Sequence, residues 1–232
     1  MVKLFKVHYL KYIYSYRLGA IASIITLSAI LYSIAVLNFT KDISFDIFQK
    51  NFLLSFFSQI ILPIGAIIIT SLELGEDLES GCGKFFLISK ISKVKYFLAK
   101  ILFILTIMIL TTTFTYLITA FLGLFIFNNS TIDSLVLQGV IKTLIALVSI
   151  ILLTAIIALI TSNFQNTLMI SIGIYLCLLI IDQVFPTLQF TLTYNITNPL
   201  NTNGVGYPMD LAYSLCLLLI SMKIMKDKDV VL

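Results

Sequence analysis

The chain has 232 residues, 59% of them hydrophobic and only 11% charged, with a net charge of +4 and a mean hydropathy of +1.07. Soluble domains carry about 25% charged residues, so the composition excludes an ordinary soluble enzyme and leaves no room for a separate soluble domain. The positive balance does not point to nucleic acid, because the basic residues sit beside apolar runs, where lipid headgroups meet them.

Residues 2–17, VKLFKVHYLKYIYSYR, come first. At helical spacing Phe5, Tyr9, Tyr12 and Tyr16 form one aromatic stripe, and Lys3, Lys6, Lys11 and Arg17 gather opposite. That pattern predicts an interfacial amphipathic helix, with its rings in the headgroup layer. His8, the only histidine, reads as a surface residue of that helix. Residues 18–37, 51–72, 101–127 and 143–181 then contain no Asp, Glu, Lys or Arg. A helix rises about 1.5 Å per residue and a bilayer core is about 30 Å thick, so each run spans a membrane and the last spans it twice. The first run is longer than a signal-peptide core and has no clear small-residue exit, so it is expected to stay as a span.

The predicted fold is therefore an all-α membrane protein, a single transmembrane domain over 1–232 with six spans at about 18–37, 52–72, 101–124, 143–162, 167–183 and 208–225. Ser162 to Asn166 is a polar break that suits a tight turn between the fourth and fifth spans. The sixth has only twelve uncharged residues between Asp210 and Lys223, so both charges are expected near the interfaces. Twelve of the fifteen basic residues fall on one side of this arrangement, which makes that side cytoplasmic with both termini inside. The opposite side carries the segment 182–209, which has no Lys or Arg, and its apolar start at Val184 to Leu192 suits either a short re-entrant piece or part of a disordered outer loop. Thr111, Thr112, Thr113, Thr115 and Thr119 in the third span are expected to bond their own helix backbone. Cys82, Cys177 and Cys216 are too scattered for a disulfide framework or a metal site.

The inner segment 73–100 is the most distinctive polar stretch. Glu73, Glu76, Asp77 and Glu79 come first, then Gly81 and Gly83, the apolar Phe85-Phe86-Leu87-Ile88, and Lys90, Lys93, Lys95 and Lys100. Lipid anchoring accounts for the lysines. The carboxylates call for a partner with basic groups or for salt bridges to the nearby lysines. Gly81-Cys82-Gly83-Lys84 is not a phosphate-binding loop, since Leu78 and Phe85 stand where that motif needs Gly and Ser or Thr.

Through Glu79, Gly81, Phe85 to Ile88, Ser92-Lys93 and Lys100, this segment resembles the inner loop of ABC-2 type transporter permeases. Members often have Pro before a Ser-Arg pair; this chain has Lys90-Ile91 there, and Lys93 in place of the Arg. The short length is similar to that of the small permeases that confer lantibiotic (bacteriocin) immunity or export cytolytic peptides such as phenol-soluble modulins. The resemblance implies a coupling helix after the second span, with Glu76, Glu79, Gly81, Lys84, Phe85, Phe86 and Lys93 meeting cytoplasmic ABC ATPase subunits. It implies a second permease chain, as a homodimer or heterodimer, in a bacterial plasma membrane, and a hydrophobic or amphipathic peptide substrate. ATP and Mg would be bound by the ATPase partner, with no cofactor, metal or catalytic residue on this chain. The residues in contact with substrate are not readable from the sequence. Two other readings stand beside this one: an ion-coupled secondary transporter, and a non-transporting membrane assembly subunit. An intramembrane protease lacks its catalytic groups here, as no span contains His, an HExxH motif or a paired buried Asp.

Overall fold

A computed structural model describes residues 44–80, 92–127, 133–185, 191–200 and 206–227, together with positions 24, 27, 28 and 31. The described residues are helical and contain no strand. Five long helices are apolar enough to cross a membrane: α1 (Phe45–Glu79), α2 (Lys93–Phe127), α3 (Ser134–Thr161), α4 (Phe164–Val184) and α6 (Gly206–Asp227). The short α5 (Tyr194–Thr197) lies between α4 and α6. The chain is thus a multi-pass membrane protein. The predicted interfacial helix with Phe5, Tyr9, Tyr12 and Tyr16 lies outside the described residues, and of the predicted span 18–37 only Ile24, Leu27, Ser28 and Leu31 are described, as helix.

α3 is the hub. It is apolar on all sides, and a helix of that kind is stable only when surrounded; Ala146, Ile151, Ala155 and Ala158 are fully buried in the main core with Phe97 and Ile104 of α2 and Ala66 and Ile67 of α1. α4 and α6 pack on its outside and turn Met169, Ile180, Leu215 and Leu219 outward, where lipid replaces water as the neighbour of apolar side chains. A second core joins Phe48, Phe52 and Leu53 of α1 to Val136 and Val140 of α3.

The predicted turn between the fourth and fifth spans is even tighter than expected. Only Ser162 and Asn163 interrupt the helices. Ser162 takes a left-handed φ of 52° and ends α3, and the Asn163 side chain accepts from Asn166 N at 3.1 Å to open α4. At the opposite end of α3, Asp133 caps in the same way, accepting from Leu135 N at 3.1 Å.

Four helix ends differ most from expectation. α1 runs past both ends of 52–72, α2 starts at Lys93 rather than 101, and α3 starts at Ser134 and carries Lys142 within it. Each predicted limit was drawn at a charged residue, and each of those charges lies within a helix. α1 also changes its winding. From Lys50 to Ile61, and again from Ser71 to Glu76, its turns are π-helical, with bonds such as Leu62 N–H to Phe57 O. Pro63 follows the first wide stretch and has no N–H for the carbonyl of Gln59, four residues back. The hydroxyl of buried Tyr175 on α4 donates to that carbonyl at 2.5 Å.

The segment after α4 is folded against the bundle. Thr193, Asn195 and Ile196 are buried, and Gln59 of α1 donates through Nε2 to Thr197 O at 3.1 Å. Among the described residues the buried piece runs from Thr193 to Ile196; most of the Val184–Leu192 stretch expected to turn inward, residues 186–190, lies outside them.

Candidate functional site

At one end of the bundle, α1 ends at Glu79 and α2 begins at Lys93, so the segment expected to meet a partner hangs from a helical hairpin. Glu73 and Asp77 are four residues apart and share a face of α1. Tyr96 and Lys100 are four apart and share a face of α2. The hairpin brings the two faces together. Lys100 is 0% exposed. Its ammonium donates to the Asp77 carboxylate and to the Glu73 carbonyl, lies 3.3 Å from Glu73 Oε2, and sits 5.5 Å from the centroid of the Tyr96 ring. The Tyr96 hydroxyl donates to Asp77 Oδ2 at 2.6 Å. Taking an ammonium out of water costs several kcal/mol. Here two carboxylates, a carbonyl and an aromatic face replace its water. The cluster locks the spacing between α1 and α2.

A second contact fixes the same end. Glu79 accepts from Phe164 N at 3.0 Å and from Asn163 Nδ2 at 3.1 Å. Its charge thereby faces the first N–H groups of α4, where the helix dipole favours an anion. One helical turn back, Gly75 lets the backbones approach. A Cβ there would lie 3.0 Å from Phe164 Cα and 3.4 Å from Thr167 Oγ1. Thr161 and Thr167 close the junction with their hydroxyls 2.8 Å apart.

Of the residues singled out in the sequence, Glu79 is on this junction, Glu76 is half-buried on the last turns of α1, and Lys93 is half-buried at the first turn of α2. Gly81, Lys84, Phe85 and Phe86 lie outside the described residues. Glu73, Asp77 and Lys100 were grouped with a polar loop and are instead helical and buried, and Tyr96 was overlooked. The paired i, i+4 spacing of Glu73/Asp77 and Tyr96/Lys100 was the signal for the cluster. The threonines expected to serve their own helix do so. Thr111, Thr112, Thr113, Thr115 and Thr119 each donate to the carbonyl four residues earlier, at 2.7–3.0 Å.

The other end of the bundle holds two buried acids. Asp182, at the end of α4 and 4% exposed, accepts from the hydroxyls of Thr191, Thr193 and Thr197. Asp210, on the first turns of α6 and 3% exposed, accepts from Asn195 Nδ2 at 2.6 Å. Ser149 of α3 lies 2.9 Å from Ser214 of α6 and donates to Asp210 O at 3.4 Å. Asp210, expected near a membrane interface, lies on the first turns of α6 and is buried there, with Asn195 supplying the donor that water would have given. No group of three or more His, Cys, Asp or Glu side chains able to hold a metal ion occurs among the described residues.

No protein-family model matches this chain, and no curated protein or solved structure is similar to it at a significant level.

Proposed function

We propose that this chain is the membrane-spanning permease subunit of an ATP-driven exporter, one that expels hydrophobic or amphipathic peptides. The observation that carries the reading is the Lys100–Asp77–Glu73–Tyr96 cluster, which joins the two helices on either side of the segment resembling an ABC-2 coupling loop. A motor that pushes on a loop moves the spans only if the loop's supports are stiff, and a buried, multiply bonded ammonium is a stiff support. Glu79 extends that support to α4. A push at residues 80–92 would thus be felt by three spans together. Lys93, Lys95, Lys223 and Lys226 all lie at this end, which favours placing it in the cytosol of a bacterial cell, with both termini inside. ATP and Mg belong to separate ATPase subunits, and a second permease chain completes the transmembrane unit.

The test is reconstitution. The chain is expected to co-purify with a soluble nucleotide-binding subunit whose ATP hydrolysis rises with an amphipathic peptide. Replacing Phe85 and Phe86 by Ala is expected to weaken that association without loss of insertion. A second reading, an ion-coupled transporter, is favoured by the buried carboxylates of Asp182 and Asp210. Solute uptake by the purified chain alone, driven by a proton or sodium gradient without nucleotide, would establish that reading and refute the first.

A further inference from the structure

The wide winding of α1 builds a second feature, at the Phe45 end. In an α-helix, residues nine apart sit about 180° round the axis, since each residue turns about 100°. Lys50 and Gln59 would then face opposite ways. In the π-helical stretch Lys50–Ile61 each turn takes in more residues, and Lys50, Asn51, Leu54, Ser55 and Gln59 come to line one wall. The facing wall is Thr197, Asn198, Pro199 and Leu200. It is pinned in place by the bond from Gln59 Nε2 to Thr197 O and by the Thr197 hydroxyl on Asp182. Between the walls is an open groove of about 460 Å³. π-helical turns inside longer helices frequently mark functional sites.

We infer that this groove binds the headgroup of an anionic phospholipid, with Lys50 on its phosphate. Among the described residues, Lys50 is the only ionic side chain that lines it. Its ion-pair partner among them is Asp133, whose Oδ2 is 3.8 Å from Lys50 Nζ; both side chains are part-exposed, and such a pair is weak enough for a phosphate to compete for the ammonium. The other Asp133 oxygen is held by Leu135 N. Asp182 and Asp210 do not line the groove, and their carboxylates are turned to hydroxyl and amide donors. The amides of Asn51 and Asn198 and the Ser55 hydroxyl add neutral donors around the cation, the set that suits phosphate and glycerol oxygens. Leu54, Pro199 and Leu200 supply the apolar rim that the start of an acyl chain requires. The volume suits a headgroup and not a whole lipid, whose tails stay in the bilayer beside the exposed Leu200. The groove lies at an end of the spans, where phospholipid headgroups are. This inference rests on the chain being a membrane protein and stands or falls independently of the exporter reading.

The experiment is native mass spectrometry of the full chain in detergent, titrated with phosphatidylglycerol or phosphatidylcholine. One phosphatidylglycerol is expected to be retained per chain in preference to phosphatidylcholine. Lys50→Gln is expected to weaken that retention about tenfold, the loss of one charge-assisted hydrogen bond. Ser55→Trp, which fills the groove and leaves the charge, is expected to abolish it. Lys226→Gln, an exposed cation at the other end, leaves it unchanged. Equal retention by Lys50→Gln and the parent chain, or equal retention of the two lipids, overturns the inference. So does displacement of the lipid by an equimolar amphipathic peptide, which would make the groove a peptide site. Should Lys50→Gln fail to fold, Ser55→Trp decides alone.

Discussion

Replacing Lys100 by Met tests the cluster that ties α1 to α2. Among the described residues, the cluster sets one cation against two carboxylates, those of Glu73 and Asp77, and all three groups are buried. Lys100→Met keeps the aliphatic volume and removes the cation. Two acids are then left facing each other out of water, with the Tyr96 hydroxyl still on one of them. Breaking a buried ion pair by deleting one partner costs about 3–5 kcal/mol. At about 2–4 °C per kcal/mol for a chain of this size, Tm falls by about 6–20 °C. Asp77→Asn acts differently. It leaves Lys100 paired with Glu73 in charge balance and keeps an oxygen for the ammonium, so its cost is about 1–2 kcal/mol. The triple variant Lys100→Met, Asp77→Asn, Glu73→Gln carries no buried charge in the cluster and is expected to be more stable than Lys100→Met alone. Thermal unfolding of the purified chain in one detergent measures all three. A Tm for Lys100→Met within about 2 °C of the parent chain, below the shift expected from about 1 kcal/mol, would refute the reasoning. So would a triple variant less stable than the single one.

Tyr175→Phe removes the donor on the Gln59 carbonyl beside Pro63, and the same unfolding measurement should show a loss of about 1–3 kcal/mol. Gly75→Ala presses a Cβ onto the Phe164 backbone and is expected to lower Tm, whereas Gly65→Ala, with nothing within 4 Å, should be neutral or raise it by helix propensity. Asp182→Ala leaves the hydroxyls of Thr191, Thr193 and Thr197 without their shared acceptor. With the native cysteines changed to Ser and a reporter at buried Ile196→Cys, maleimide labelling should then quicken about tenfold or more, one charge-assisted bond being worth about 1.5–3 kcal/mol. An unchanged labelling rate would show that Asp182 does not hold the segment.

Four of the five long helices, α1 to α4, were legible because a long charge-free run has only one comfortable environment; α6 was read from only twelve uncharged residues between Asp210 and Lys223. Their ends were not, and the reason is specific. Treating a charge as the limit of a span assumes that the charge must reach water. Lys100, Glu73 and Asp77 satisfy one another inside the bundle, so α1 and α2 continue past them. The i, i+4 pairing on both helices was visible in the sequence, but the partnership across the hairpin needed the packing of α1 on α2. The π-helical turns of α1 had no signature apart from Pro63, and with them the groove beside Lys50 was out of reach. The polar segment 191–200 could have been read as a solvated loop. Thr193 and Asn195 are buried because Asp182 and Asp210, fixed at the ends of α4 and α6, accept their hydrogen bonds.

The two ends of the bundle are held by different chemistry, and the difference bears on what each can do. At the Glu79 end, an ammonium bridges two helices and a carboxylate caps a third, so rearrangement there must separate opposite charges at low dielectric. At the Phe45 end, the segment 191–200 is held by neutral hydroxyl and amide donors on two carboxylates, together with the bond from Gln59. Exchanging a neutral donor on a carboxylate for water costs about 1.5–3 kcal/mol per bond. Removing Lys100 costs more, about 3–5 kcal/mol, because it separates a buried ion pair. For a permease driven from the Glu79 end this is the useful order. On the proposed reading, the end that would receive force is stiff, and the end through which cargo would leave is closed by bonds to neutral donors. A disulfide between Asp182→Cys and Thr193→Cys, which removes the carboxylate but makes the closure covalent, should therefore block peptide export while ATPase association persists, and reduction should restore it. Export that continues through the oxidised form would place the exit elsewhere.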